Sequence, residues 1–226
     1  MKEEPGMQGQ NYELEKDVLF NEYMKKPEVS EALAILDQLP ENLSYHNKAH
    51  TLDVIKETIL FALVDGVEKE ILDQLVIAAA WHDVGYIEQY EHNEPVAVRL
   101  FENSSAYTSL PDDIRQEIVA NILDTQLVIK DGEPFLIQSR SKLGYLLDAD
   151  VSNFGREDFW EKRLLIAQEL GIDLNDLEIK KMFYSFALRL LKNQEWKTAP
   201  ARMLRQTQKE RNLVRVAEEL EALVDI

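Results

Sequence analysis

The feature that most constrains the fold is a helical hydrophobic periodicity that runs through nearly the whole chain. Apolar side chains recur three and four positions apart, as they do on the buried face of an α-helix. Only 8 glycines and 7 prolines occur among the 226 residues, so the loops are expected to be few and short. The chain is therefore predicted to be all-α.

Ten helices are predicted, with Pro95 and Pro111 near the starts of two of them and Gly155 and Gly171 on either side of another. Strand signals are weak, so the segment 127–134 (LVIKDGEP) is expected to be a loop rather than a short extended piece. The approximate bounds of the predicted helices are 11–25, 28–38, 46–64, 68–90, 95–105, 111–126, 136–149, 156–170, 174–194 and 199–223.

The predicted domain organisation is simple, because 226 residues suit one domain with a substantial core. Residues 1–10 are expected to form a flexible N-terminal tail, and residues 11–226 a single helical domain. Within that domain, a core of about 20–155 contains all the histidines, whereas a helical extension of about 156–226 contains none.

Net charge limits the partners of the protein. The chain has 25 Lys and Arg against 42 Asp and Glu, which gives a formal charge of −17. A surface this acidic repels DNA, RNA and anionic lipid, so neither a nucleic-acid polymer nor a membrane is expected as a partner. A small anionic substrate would need a local cation. Cysteine is absent, and neither an apolar stretch of about 20 residues nor a signal-peptide core occurs, so the protein is expected to be cytoplasmic.

The histidines and a neighbouring aspartate carry the candidate chemistry. His46 and His50 are four residues apart, so a helix would place them on one face. His82 and Asp83 directly follow the apolar run 75–81 (LVIAAAW), which is expected to be buried. A buried His-Asp pair needs polar partners, and a metal ion held between helices supplies them. Each half alone is more often structural, but the combination predicts a divalent-metal site.

Two aspartates, Asp148 and Asp150, end another apolar helix and are candidates to complete this site. Side chains two positions apart on a helix diverge by about 200°, so only one of the two is expected to face the metal. An aspartate at a helix end more commonly caps the following turn. The residues alone leave open which aspartate is the ligand.

The order of these residues resembles the H…HD…D motif of the HD superfamily of metal-dependent phosphohydrolases. The strings YHNKAH at 45–50 and ADVSN at 149–153 are also similar to those of class I cyclic-nucleotide phosphodiesterases, which are distant members. The segment 148–159 (DADVSNFGREDF) resembles a motif of bacterial stand-alone HD proteins. The resemblance covers about residues 20–220, with specific motifs only at 45–54, 78–97 and 146–159.

The resemblance implies an HD-domain helical bundle, here with an added C-terminal helical layer. It implies Asp150 rather than Asp148 as the metal ligand, and His46 as the general acid that protonates the leaving oxygen. One divalent ion (Mn, Mg, Co, Ni, Fe or Zn) is expected, because members with two metals contain more histidines. Superfamily members often dimerise, but the sequence leaves the oligomeric state open. The implied metal ligands are His50, His82, Asp83 and Asp150.

Other polar residues have a functional and a structural interpretation. Glu94 is predicted either to orient the attacking water, as an acid at this place does in related enzymes, or to cap the helix at Pro95. His92 is predicted to lie at the rim of the site. In the segment 196–216, six basic residues accompany one acid. Three of them share a helix face and are predicted to bind substrate phosphate, or else to pair with the protein's own acids. These three are Arg202, Arg205 and Lys209.

The leading functional hypothesis is an enzyme that hydrolyses a phosphomonoester or phosphodiester, in particular of a nucleotide. One alternative is a non-catalytic metal- or nucleotide-binding regulatory module. His46 disfavours it, because a purely structural site needs no acid beside the metal. A second alternative is a di-iron oxygenase of the HD type, which the small number of histidines disfavours.

Overall fold

A computed structural model describes residues 5–136 and 140–224. These residues form eleven α-helices, two short 3-10 helices and one pair of strands, which confirms the all-α prediction. None of the helices in these ranges combines the length and the apolar character that a transmembrane span requires. The α-helices are α1 (Pro5–Tyr23), α2 (Pro27–Leu36), α3 (Lys48–Asp65), α4 (Lys69–Trp81), α5 (Asn93–Glu102), α6 (Ser105–Ser109), α7 (Asp112–Asp124), α8 (Tyr145–Asp150), α9 (Phe159–Glu169), α10 (Leu177–Asn193) and α11 (Ala199–Val224). The 3-10 helices are Val84–Ile87 and Ser152–Gly155, and the strands are β1 (Leu127–Lys130) and β2 (Glu133–Leu136).

Helix α3 is central, since it packs against α1, α4, α8 and α11. The side chain of Asn47 caps its start by accepting hydrogen bonds from the backbone amides of Ala49 (2.9 Å) and His50 (3.3 Å). The neighbouring helix α4 ends at Trp81, which is fully buried and donates its indole N–H to the carbonyl oxygen of Glu28 at 2.9 Å. This contact ties the end of α4 to α2, so the residues that follow it are held against the core.

The chain turns sharply after α4, and the prediction of one helix over 68–90 is wrong. His82 and Asp83 form the turn between α4 and the 3-10 helix Val84–Ile87. The turn is closely packed, because a Cβ atom at Gly85 would lie only 2.0 Å from the carbonyl oxygen of Asn93. Glycine therefore allows the start of α5 to approach the His-Asp turn.

A β-hairpin with a two-residue turn replaces the loop predicted for residues 127–134. Strands β1 and β2 pair antiparallel, with Lys130 opposite Glu133. The connecting residues Asp131 and Gly132 both have positive φ angles, 54° and 80°. Such angles are what a type I′ turn requires, and Asp-Gly is one of its preferred sequences.

Other helix boundaries also differ from the prediction. The helix expected over 46–64 begins at Lys48, so His46 precedes it and does not share a helical face with His50. The segment expected to be helical over 136–149 forms a helix only from Tyr145, and residues 137–139 of it lie outside the described ranges. The predicted flexible tail is helical from Pro5 onward, and residues 1–4 lie outside the described ranges.

At the other end of the chain, α11 packs on α3, α10 and the 3-10 helix Ser152–Gly155. The predicted C-terminal helical layer thus packs directly on the element that holds His50.

Candidate metal centre

Four side chains from separate elements converge at one point, and we call them the His/Asp cluster. His50 Nε2 lies 3.0 Å from Asp150 Oδ1 and 3.4 Å from Asp83 Oδ2. His82 Nε2 lies 3.1 Å from Asp83 Oδ2 and 3.5 Å from Asp150 Oδ1. Each imidazole therefore faces an oxygen of both carboxylates. The structure brings together all four residues that the sequence predicts as metal ligands.

A backbone contact determines which nitrogen of His82 faces the cluster. Its Nδ1 lies 2.7 Å from the carbonyl oxygen of Ala79, an acceptor, and so donates its proton there. The neutral imidazole then presents an unprotonated Nε2. This atom is buried and makes no hydrogen bond to any residue of the described ranges. An imidazole oriented by a carbonyl oxygen in this way is typical of metal-bound histidines.

The donor set of the cluster fits a divalent cation. Asp83 Oδ2 is buried and, among the described residues, also has no hydrogen-bond partner. His50, His82 and Asp83 each offer one ligand atom, and these atoms lie within 4.8 Å of one another. Lone pairs of nitrogen and oxygen that face one another at this spacing are stable only with a positive charge between them. Imidazole and carboxylate donors together suit Zn, Mn, Fe, Co or Ni.

The electrostatics of the cluster also shift its pKa values. Burial opposes protonation of His82, but the carboxylates of Asp83 and Asp150 raise its pKa well above the usual value. Burial by itself would raise the pKa of Asp150, but the imidazoles of His50 and His82 lower it. The cluster thus favours positive charge, either as protons or as a metal ion.

The two aspartates of α8 have different partners. Asp148 is fully buried and accepts hydrogen bonds from the backbone amide of Lys197 at 2.9 Å and from the amide and hydroxyl of Thr198, each at 2.8 Å. It therefore holds the turn that leads into α11. Asp150, two residues on, belongs to the His/Asp cluster, with its Oδ1 3.0 Å from His50 Nε2. The two side chains point in different directions, as their helical spacing predicts, and Asp150 is the aspartate beside the histidines.

His46 lies next to the cluster and is held by a glutamate. Its ring centroid is 5.9 Å from that of His50, and its ring stacks on Tyr86 at 4.6 Å. Its Nδ1 is hydrogen-bonded to Glu169 Oε1 at 2.5 Å. The other oxygen of Glu169 accepts hydrogen bonds from the backbone amides of Tyr45 and His46, at 2.7 and 2.9 Å. These three hydrogen bonds fix the position of the imidazole relative to the carboxylate.

This hydrogen bond changes the proton affinity of both partners. Burial by itself would lower the pKa of His46, but the Glu169 carboxylate raises it. Burial by itself would raise the pKa of Glu169, but the hydrogen bond to His46 lowers it to about 2. The proton shared by the pair therefore resides on the imidazole, and Glu169 is ionised.

A cavity of about 360 Å³ opens onto the cluster. Its polar lining includes Asp83, Asp150, His46 and Glu94. Its apolar lining comes from the hairpin and from the segments of α9 and α10. A cavity of this size and mixed character suits a small organic ligand. The apolar lining residues are Leu127, Leu136, Ile166, Leu170, Phe186 and Leu190.

Glu94 lines the cavity from the first turn of α5. Its Oε2 is buried and forms no hydrogen bond within the described ranges. Burial raises the pKa of Glu94, and the neighbouring carboxylates of Asp83 and Asp150 raise it further. The N-cap position of α5 is His92. The geometry thus favours the cavity-facing interpretation of Glu94 over helix capping.

The remaining predicted residues lie elsewhere. His92 is exposed, and its Nδ1 accepts a hydrogen bond from Gln126 at 3.1 Å. Arg202, Arg205 and Lys209 do not line the cavity. Arg205 pairs with Glu57 at 2.8 Å, Arg202 donates to the carbonyl oxygen of Trp196 at 3.1 Å, and Lys209 donates to that of Gln194. None of the three faces the cavity at the His/Asp cluster, and Arg205 has the alternative role predicted for it, pairing with an acid of the protein itself.

Two residues of α9 near the site were not predicted. Glu169 is 123 positions from His46 in the chain, and no sequence motif connects them. Arg163 lines the same cavity and is buried. A basic residue at an apolar helix position was the available signal for Arg163, because such a position faces the interior.

Comparisons with known proteins do not assign a family. A scan of protein-family models, a search of curated proteins and a search of solved structures each found no match to this chain. The functional interpretation therefore rests on the residues and on their geometry.

Proposed function

We propose that this protein is a metal-dependent phosphohydrolase that cleaves a phosphomonoester or phosphodiester of a small molecule, with nucleotides as the first substrate class to test. The observation that carries the proposal is the convergence of two buried imidazole nitrogens and two carboxylate oxygens at 3.0–3.5 Å. Beside them, a glutamate holds a third histidine at 2.5 Å. Both features face one cavity of about 360 Å³.

The residues of the chain support distinct roles in this reaction. His50, His82, Asp83 and Asp150 would hold one divalent cation. When bound, such a cation neutralises phosphoryl oxygens and lowers the pKa of water. Because the Nδ1 of His46 is bonded to Glu169, its Nε2 is the atom that would deliver a proton to the leaving oxygen.

Glu94 would orient the attacking water by accepting its hydrogen bond. Support for this role comes from its buried oxygen, which has no partner within residues 5–136 and 140–224. An unsatisfied buried carboxylate oxygen is costly to the fold, so it is typically retained for a ligand. The cavity in front of Glu94 also contacts Asp83 and His46. Water, cation and proton donor would therefore meet at one end of the cavity.

Metal reconstitution followed by a substrate screen tests the proposal. Chelator-treated protein would be loaded in turn with Mn, Mg, Co, Ni, Fe or Zn, analysed for metal content, and assayed with nucleotides and nitrophenyl phosphate esters. We expect about one ion per chain and metal-dependent phosphate-ester cleavage. His46→Ala should reduce turnover of substrates with poor leaving groups about 10²–10⁴-fold and leave metal content unchanged.

His92→Ala is the matched control, because His92 is exposed and lies outside the cavity. It should retain full activity and metal content. Loss of metal in His46→Ala would make that histidine a ligand and contradict its assigned role. Two irons per chain would instead indicate an oxygenase, and nucleotide binding without hydrolysis would indicate a regulatory module.

A further inference from the structure

Arg163 on α9 is a buried cation without a polar partner in the protein. The residue is only 6% exposed. Its Nε is buried, and the guanidinium forms no hydrogen bond or ion pair with any residue that the structure describes. Its Cζ lies 4.1 Å from the centroid of the Phe183 ring, over the ring face. Stacking of this kind orients the guanidinium but does not use its N–H donors.

An unpaired buried arginine is unusual in so acidic a chain. Burying a charge without a counter-ion costs several kcal/mol or more. Two other half-buried arginines of this protein avoid that cost, since Arg156 pairs with Asp53 at 2.9 Å and Arg205 with Glu57 at 2.8 Å. Burial lowers the pKa of Arg163 to about 10, which still leaves it charged at neutral pH. The N–H donors of Arg163 are therefore available to an anion.

The position of Arg163 indicates where that anion lies. Arg163 lines the cavity that opens onto the His/Asp cluster, and among the described residues it is the only Lys or Arg to do so. It also lines an adjoining apolar cavity of about 360 Å³ that shares Ile166, Leu170 and Phe186 with the first. The ring of Phe183, over which the Arg163 guanidinium lies, lines the adjoining apolar cavity but not the first. The guanidinium therefore lies on the side of the first cavity that borders the apolar one.

We propose that Arg163 binds a second oxyanion of the substrate, a carboxylate or a phosphate, carried on an apolar or aromatic body. This inference rests on the proposed function, in which the phosphoryl group to be cleaved lies at the His/Asp cluster. The body of the substrate would contact Ile166, Leu170 and Phe186. The planar guanidinium would bind two oxygens of the distal group at once. The substrate class is thus a small organic phosphate ester with a second negative charge at its far end.

Matched phosphate esters test this inference. Phenyl phosphate has one oxyanion, whereas 4-carboxyphenyl phosphate and hydroquinone bisphosphate add a carboxylate or a phosphate at the far end of the ring. The wild-type protein should show a KM about 10–100-fold lower for at least one of the latter two, the range of a charge-assisted hydrogen bond. The lower KM also identifies which oxyanion is preferred. In Arg163→Met, this difference should disappear, while the KM for phenyl phosphate changes by less than about threefold.

The thermal stability of the variant separates substrate binding from a structural role. Methionine keeps the apolar length of the side chain and removes an unpaired charge, so Arg163→Met should melt at the same or a higher temperature. A lower melting temperature would assign Arg163 to the fold and overturn the inference. Arg215→Met is the control, because Arg215 stacks on Trp160 at 4.5 Å but is exposed and lies outside both cavities. It should leave every KM unchanged.

Calorimetric titration with phenylphosphonate and 4-carboxyphenylphosphonate, which are not hydrolysed, separates this inference from the proposed function. If no ester is cleaved but the carboxylated phosphonate binds more tightly to wild type than to Arg163→Met, hydrolysis is wrong and the Arg163 site stands. Equal weakening of both phosphonates would place Arg163 at the reacting phosphoryl group and overturn the inference. Unchanged binding of both ligands in Arg163→Met would overturn it as well.

Discussion

Two buried polar clusters share helix α3, and they differ in how their charges are satisfied. In the first, which we call the ion-pair cluster, Glu57 accepts hydrogen bonds from Arg205 Nε at 2.9 Å and from Nη2 at 2.8 Å. In the His/Asp cluster, His82 Nε2 and Asp83 Oδ2 are buried and have no hydrogen-bond partner among the described residues. The ion-pair cluster consists of Asp53, Glu57, Arg156 and Arg205.

Burial alone does not explain the difference between the two clusters. The side chains of Glu57 and Arg205 are 9% and 17% exposed, and those of His50 and Asp150 are 5% and 18% exposed. The remaining members of the ion-pair cluster are more exposed than His82 and Asp83. The difference lies in the pairing, since carboxylates meet guanidinium groups in one cluster and imidazoles in the other. A buried cluster whose atoms are all hydrogen-bonded holds the fold together, whereas one with unsatisfied nitrogen and oxygen lone pairs has capacity for a cation. The comparison predicts opposite responses of the clusters to metal and to mutation.

The largest effect is expected from His82→Ala in the His/Asp cluster. Outer-shell partners of metal ligands alone contribute about 10–100-fold to affinity, so loss of a ligand should weaken metal binding by more than about 100-fold. In wild type, metal at about 100 times its Kd should stabilise the fold by about 2.7 kcal/mol. At the same metal concentration the variant should keep at most about 0.4 kcal/mol of this increment. Chemical denaturation with and without a chelator, together with metal analysis, measures it.

Glu57→Gln in the ion-pair cluster is the control for that experiment. It lies on the same helix, seven residues from His50, but it faces Arg205. Its metal-dependent increment should equal that of wild type, even though its baseline stability is lower. Equal increments in wild type and His82→Ala would mean that His82 does not bind the metal and that the contrast between the clusters is wrong.

A comparable effect on stability, but none on metal binding, is expected from Glu57→Gln. Removing one partner of a fully buried ion pair costs about 3–5 kcal/mol, and the partial exposure of Arg205 reduces that to roughly 2–3 kcal/mol. Urea denaturation of the metal-free protein measures the change. Lys48→Gln breaks the Lys48–Asp37 pair, whose side chains are 37% and 59% exposed, and should cost less than about 1 kcal/mol. Similar costs for both variants would show that the ion-pair cluster contributes no more than a surface pair.

The same contrast explains how much of the site could be predicted from the sequence. The His/Asp cluster could be predicted because a His-Asp pair after the apolar run 75–81 is a local pattern that requires burial and partners. The pairing of Arg205 with Glu57 could not, since these residues are 148 positions apart. The charge reversal near the C-terminus therefore indicated a phosphate site where the fold has an ion pair. Glu169, 123 positions from His46, was not predicted for the same reason.

Most helices could be predicted because their periodicity is local, and the errors occur where turn geometry or a tertiary contact prevails. At residues 127–136 the Asp131-Gly132 pair adopts two positive φ angles, of 54° and 80°, and turn geometry outweighs the absence of alternating apolar residues. After Trp81 the apolar pattern continues, but the chain turns at His82 and Asp83, and the start of α5 packs so closely on Gly85 that a side chain there would clash with Asn93. This second constraint is tertiary, and no window of sequence contains it.

The smallest effect is expected from Glu169→Gln, which changes the pH dependence of hydrolysis. A general acid must be protonated to act, so activity falls as pH rises through the pKa of His46. Because Glu169 raises that pKa against the effect of burial, wild type should stay active to a higher pH than an ordinary histidine allows. Glutamine keeps a hydrogen-bond acceptor but removes the charge, so the alkaline limb of kcat/KM should move about one unit or more towards lower pH.

The other groups that face His46 are the same in wild type and in Glu169→Gln. The carboxylates of Asp83 and Asp150 act on it electrostatically, Tyr86 stacks on it, and Tyr90 donates its hydroxyl to Glu169 at 2.9 Å. Comparing variant with wild type at equal metal loading cancels these contributions and isolates the Glu169 charge. A limb displaced towards higher pH would contradict the proton-donor role of His46. An unmoved limb with lower thermal stability would mean that Glu169 serves only to hold the backbone amides of residues 45 and 46. Glu169 would then have a structural role, like the residues of the ion-pair cluster.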